Sequence, residues 1–221
     1  MDTDHRFGGQ GDIFAPHLPS NFNVNDMAEV SEAIIHDLLI TSADVKRMTA
    51  EQCSAATLRA AELIATSLQA GGKLMFCGNG GSAGDSQHLA AEFVATLDHR
   101  RPGHGLAALA LTTDTSFLTA YANDFGFEGV FARQVETLGK PGDVLVAIST
   151  SGNSANVVRA CEAAKSNDIH VIGMTGDGGG KIADMADILL AVPSSVTMHI
   201  QESHIALGHV MTLAVERLLD V

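Results

Sequence analysis

The 221 residues carry 26 acidic against 13 basic side chains, a formal net charge of −13, and 46% of them are hydrophobic. That apolar content fills one globular core without disulfides or structural metal. The negative balance excludes binding of nucleic acid or an anionic membrane through a broad basic face, and leaves a small molecule as the expected partner, since backbone N–H groups can still build a local anion site.

Three scattered cysteines, Cys53, Cys77 and Cys161, lack paired metal-ligand spacing and suit a reduced compartment. No apolar run approaches about 18 residues, and the first residues lack the charged-then-apolar order of a secretory leader. A cytoplasmic protein without a membrane segment is expected.

Residues 1–24, with Gly8, Gly9, Gly11, Pro16 and Pro19 and little periodicity, read as a flexible tail, and 25–221 as a single domain. From Asn25 to Ile40 the apolar positions Met27, Val30, Ala33, Ile34, Leu38 and Leu39 recur at helical spacing. A second helix is expected from Thr49 to Ala70, with Gly71-Gly72 as its stop. Two helices thus precede the first strand.

Lys73 to Phe76 is short and apolar, as a buried strand is, and Gly78, Gly80 and Gly81 permit a tight strand-to-helix turn. Ser82 is expected to cap a helix starting near Ala83, whose free N–H groups and positive dipole end face an anion. On that helix His88 and Glu92 are four residues apart and share a face. Such a pair is by itself an ordinary surface feature; after an anion turn it reads as a base or a metal-ligand pair.

The chain then alternates. A strand is expected at Leu106–Leu111, helices at Thr115–Asn123 and Phe127–Thr137, a strand at Asp143–Ile148 and a helix at Asn153–Ser166. A strand at His170–Met174, a glycine loop 176–180, a short helix Lys181–Met185, a strand at Ile188–Ala191 and a long helix Met198–Leu219 follow. Short strands separated by helices require crossover connections, hence a mainly parallel sheet covered on both faces. The fold class is an α/β three-layer sandwich of flavodoxin-like type, preceded by N-terminal helices.

Ligands in such sheets bind at the carboxyl ends of the strands. A second turn there has anion chemistry, Ser149-Thr150-Ser151-Gly152-Asn153-Ser154, with four hydroxyls at a helix start. Gly78-x-Gly80-x-x-Ala83 also fits a loose dinucleotide fingerprint, which needs a carboxylate about 20 residues on at a strand end. Asp98 has that spacing but lies in a loop, and Asp114 follows a strand but lies too far along. In the last helix Gln201 and His209 fall near one face, yet helical phase alone does not choose His209 over His199 or His204.

Taken together, Cys77–Ser82, Gln87–Glu92, Ala122–Phe127, Gly142–Ser154 and Ile200–His204 resemble the sugar isomerase (SIS) domain, and within it the phosphoheptose isomerases, from about residue 26 to the end. The resemblance implies an aldose–ketose isomerase acting on sedoheptulose 7-phosphate, with one zinc ion per subunit and sites completed in a homotetramer. Carried over by position, it implies metal ligands His88, Glu92, Gln201 and His209. Glu92 takes the place of the family's base and His209 that of its acid. The phosphate falls to Ser82, Ser149, Ser151 and Ser154, and the sugar to Asn79, Gly80, Thr150, Asp124 and Gln201. Two departures stand out: Met198-His199 where many members have Asp-Arg, and Ala95-Thr96 where they have an Arg soon after the acid. The wider family has a non-enzymatic branch that binds a replication initiator and usually lacks the acid retained here as Glu92.

Overall fold

The computed structural model describes residues 30–98, 100 and 103–221; the expected tail 1–24 and the expected first helix's start at Asn25 lie outside them. The first element is one uninterrupted helix, α1 (Glu32–Gln69), capped by Ser31, whose Oγ accepts from the Ile34 N–H. Two expected helices are therefore a single helix. Thr41 to Met48 contains no Gly or Pro, so nothing breaks the i→i−4 ladder, and the polar interval signals only a change in what the helix packs against.

The chain continues through β1 (Leu74–Gly78), α2 (Gly81–Ala95), β2 (Ala108–Ala110) and α3 (Thr115–Phe125). Next come a 3₁₀ turn at Phe127–Gly129, α4 (Val130–Leu138), β3 (Val144–Ser149), α5 (Ala155–Ser166) and β4 (His170–Thr175). A 3₁₀ turn at Gly180–Ile182, where a short helix was expected over 181–185, leads to β5 (Ile188–Ala191) and α6 (Thr197–Leu219). The expected helix Phe127–Thr137 is likewise a 3₁₀ turn running into α4.

All four strand pairs are parallel, in the order β2-β1-β3-β4-β5. Alternate strand side chains build two cores. Leu74, Phe76, Val144, Val146 and Ile148 pack with α1, α2 and α6, and Met75, Cys77, Leu145 and Ala147 pack with α4 and α5. Because both faces are covered, β1 and β3 are buried at every position, which is why they read as continuous apolar runs rather than alternating ones. The chain leaves β1 toward β2 on one side and later returns to β3 on the other, so the crevice between β1 and β3 is the point where strand order reverses.

Candidate active site

Two helix starts meet at that crevice. Gly78 pairs with Ile148 across β1 and β3, so the turns that follow these strands lie side by side. The expected cap at Ser82 is not the one formed. α2 begins at Gly81, its N-cap is Gly80 at φ 56°, and no side chain caps it. A residue with a Cβ is strained at that φ, so glycine starts the helix two residues early and draws Ser82 inside, where it is buried. α5 is similar: Ser154 is its N-cap but makes no capping bond, and its Oγ instead lies 2.9 Å from Ser149 Oγ. Ser151 Oγ is 3.5 Å from Ser149 Oγ and accepts from the Asn153 N–H. Two helix N-termini without side-chain caps, with a cluster of hydroxyls beside them, form a corner whose donors suit an anion.

The second turn is held from behind. Gly152, at φ 65°, lies against the backbone of Gly179 and Gly180. The Asn153 amide donates to Ser151 O and accepts from Lys181 N–H, while Gly176 N–H donates to Thr150 O. The hydroxyls thus sit on a rigid loop, as a preorganised site requires.

α2 and α6 run in the same direction against each other. Gly81 faces the Gln201 side chain, and eight residues later Leu89 packs on Gly208. This alignment brings His88 to His209, with their Nε2 atoms 2.7 Å apart, and His88 Nε2 also lies 3.4 Å from Glu92 Oε1. Candidate ligand atoms of these three side chains all lie within 4.8 Å of one another. Tetrahedral ligands at about 2.0–2.1 Å from a zinc ion lie about 3.4 Å apart, so two imidazoles and a carboxylate at this spacing fit a zinc-type donor set. The end of the Gln201 side chain rests over Gly81, at the anion end of α2.

The three histidines of α6 now separate by environment. His204 is fully buried, with Nε2 3.0 Å from Thr175 O, and burial pushes its pKa down to about 4. His199 is also buried, its pKa lowered mainly by desolvation. His209 alone of the three meets His88. Asp124 is exposed on α3, accepts from the Asn123 amide and is not brought to this corner within one chain. Asp98, the carboxylate that a dinucleotide site needs, is paired with Arg217.

Comparison with known proteins agrees with this geometry. Residues 40–176 match the family model described as SIS domain. A phosphoheptose isomerase of Roseiflexus sp. (strain RS-1) is 52% identical over 183 residues, which cover 83% of this chain and 92% of that protein. One from Rhodospirillum rubrum is 56% identical over 165 residues, 74% of this chain and 86% of its own. The chain belongs to the phosphoheptose isomerase family. The solved phosphoheptose isomerase from Neisseria gonorrhoeae superposes with a TM-score of 0.79 at 48% identity, covering 84% of this chain and 98% of that one. That from Francisella tularensis gives 0.81 at 35% identity, covering 86% and 100%.

The two departures from the phosphoheptose isomerase pattern border the site elements: His199 lies two residues before Gln201, and Thr96 N–H donates to Glu92 O at 2.9 Å. His199 is buried next to the Lys46–Glu202 pair, and Thr96 is buried at the end of α2 with φ 78°. His204, which sequence phase offered as a rival of His209, carries a stability consequence instead. Its folded pKa is below the ordinary 6.5, so between pH 6.5 and 4 the unfolded chain binds the proton that the folded one refuses. Stability is then present above pH 6.5 and is lost as pH falls toward 4. Denaturant unfolding is expected to show the parent losing about 2.5 kcal/mol more than His204→Gln between pH 7.5 and 4.5; equal losses would assign acid sensitivity to other groups.

Proposed function

We propose that this phosphoheptose isomerase family member interconverts sedoheptulose 7-phosphate and D-glycero-D-manno-heptose 7-phosphate through an enediol. The observation that carries this reading is the meeting of His88 and Glu92 of α2 with His209 of α6, on a helix, α2, whose start forms one wall of the anion corner. The phosphate is held by Ser82, Ser149, Ser151, Ser154 and the backbone N–H groups of α2 and α5. Asn79, Gly80, Thr150, Gln201 and Asp124 contact the sugar.

From the ketose, Glu92 removes a proton from C1, the C1–H electrons form the C1=C2 bond, and O2 takes a proton. The O1 hydroxyl then gives up its proton as C1=O forms, and C2 receives the proton that Glu92 holds. His209 carries the oxygen protons, and His88 orients Glu92 from 3.4 Å. A zinc ion, one per subunit, held by His88, Glu92 and His209 with Gln201 as fourth ligand, supplies polarisation of the carbonyl and stabilises enediolate charge when bound. Holding the ion and moving the proton are alternative duties of Glu92.

A homotetramer is supported by the apolar surface that one chain leaves open. Phe125 and Phe127 are exposed, and α3 buries no residue fully. Leu58 of α1 and Val210 of α6 line an apolar groove of about 280 Å³. In that assembly Asp124 contributes to a site across an interface. Cytoplasmic location is supported by three free, buried cysteines, and among the described residues no helix is long and apolar enough to cross a membrane.

Sedoheptulose 7-phosphate followed by NMR in deuterated water tests the reading. Aldose product with deuterium at the exchanged carbon is expected, with activity lost on chelation and restored by zinc. Neither product nor exchange, with and without zinc, would exclude the isomerase.

A further inference from the structure

Asn79, in the turn after β1, and Asn156, in the first turn of α5, form a closed pair. Asn79 Nδ2 donates to Asn156 Oδ1 at 2.8 Å, and Asn156 Nδ2 donates back to Asn79 Oδ1 at 2.8 Å. Among the described residues no other side-chain hydrogen bond links these two turns directly. The members differ in exposure. Asn156 is 4% exposed, within the helix start, while Asn79 is half-buried beside Gly80. Each amide keeps one N–H and one lone pair beyond those the pair uses. The more exposed amide is therefore free to meet a ligand, and the buried one fixes its rotation.

We infer that Asn156 is a positioning residue: it locks the Asn79 carboxamide and, through it, sets the first anion turn against the second. The inference rests on the anion corner of the proposed function but not on turnover. The β1–β3 ladder ends at Gly78 and Ile148, so beyond it the two turns lack strand hydrogen bonds to each other. Their N–H groups can converge on one phosphate only if something else fixes their separation, and a reciprocal amide pair does so with directional bonds at both ends. An aliphatic residue at 156 leaves Asn79 free to rotate. An aspartate has no N–H to return, so one of its oxygens faces Asn79 Oδ1, acceptor against acceptor.

The test is a double-mutant cycle of Asn79→Ala and Asn156→Ala. It reads the Kd of inorganic phosphate by titration and the KM and kcat for sedoheptulose 7-phosphate, with thermal unfolding of each unliganded variant as a folding check. Each single substitution is expected to weaken phosphate and raise KM about tenfold, and Asn156→Ala, which touches no substrate, to keep kcat within about twofold. The double variant is expected to be no worse than about twentyfold, because the second change removes a bond already lost. If Asn156→Ala binds phosphate within twofold of the parent, or if the losses multiply to about a hundredfold, the positioning role is wrong. Should Asn156→Ala not fold, Asn156→Asp replaces it. An acid suits the first turn of a helix, so the fold is retained, and a phosphate Kd within twofold of the parent in that variant also overturns the inference. Because the phosphate Kd needs no chemistry, a protein that binds phosphate with the expected coupling but turns nothing over would sink the isomerase and leave this inference standing.

Discussion

Glu92→Gln is expected to lower kcat by a factor of about 10³ or more, the scale of a lost general base, while leaving fold and phosphate binding intact. Glutamine matches glutamate in shape, and the residue is only partly exposed at the α2–α6 seam, so little packing changes. The amide lacks the basicity to take a proton from carbon, yet keeps an oxygen within reach of His88. Steady-state kinetics beside a phosphosugar-induced rise in melting temperature separates the two effects. A variant within tenfold of the parent would remove Glu92 from the role of base. A parent that phosphosugars stabilise without conversion, and that Glu92→Gln leaves unchanged, would instead be a non-catalytic phosphosugar binder.

Gly152→Ala is expected to damage both stability and anion binding. At φ 65° an alanine costs about 1–2 kcal/mol in backbone strain alone. Its Cβ would also lie 2.5 Å from Gly179 C and 2.9 Å from Gly180 N, with Gly179 O closer still. These are backbone atoms of a neighbouring loop, and no rotamer change relieves the contact. The loss should reach about 3 kcal/mol or more, with the Ser149–Ser154 hydroxyls displaced and KM raised at least tenfold. Gly84→Ala is the control for stability: its Cβ meets nothing within 4 Å, and alanine favours a helix interior by about 1 kcal/mol. If Gly152→Ala melts with the parent and keeps its KM, the loop is softer than its contacts imply.

Much of this molecule was legible in its sequence for identifiable reasons. Strands covered on both faces become unbroken apolar runs, and β1, β3, β4 and β5 were found within two residues of their ends. Glycine and serine cluster at the starts of α2 and α5, so both strand-to-helix turns were legible as turns. The cap at Ser82 was misread because serine is the better capping residue by propensity, whereas the φ of 56° two residues earlier, at Gly80, admits little but glycine. The choice among His199, His204 and His209 depends on which helix packs against α6, and a periodic pattern on one helix carries no register with another. The Asn79–Asn156 pair escaped notice because its members are 77 residues apart and each looks locally like an ordinary turn or helix-start residue. Asn156 directly follows the Ser154-Ala155 start of α5, and two asparagines after neighbouring parallel strands were the available signal.

α1 was read as two helices and is one, yet the division was not without cause. A rise of 1.5 Å per residue gives its 38 residues a length of about 57 Å, against about 20 Å for the longest strands of the sheet. From Ser42 onward buried positions recur on every turn; before it, Ile35 and Leu39 stand exposed and no residue is fully buried. A ten-residue helix is marginal in water by itself, so residues 32–41 are carried by propagation from the packed part and by the Ser31 cap. Amide hydrogen exchange is therefore expected to be fast near Glu32 and to slow past Ser42, where buried positions begin. The boundary suggested by the hydrophobic pattern survives as a change in burial along one helix: an exposed first stretch, then a packed one.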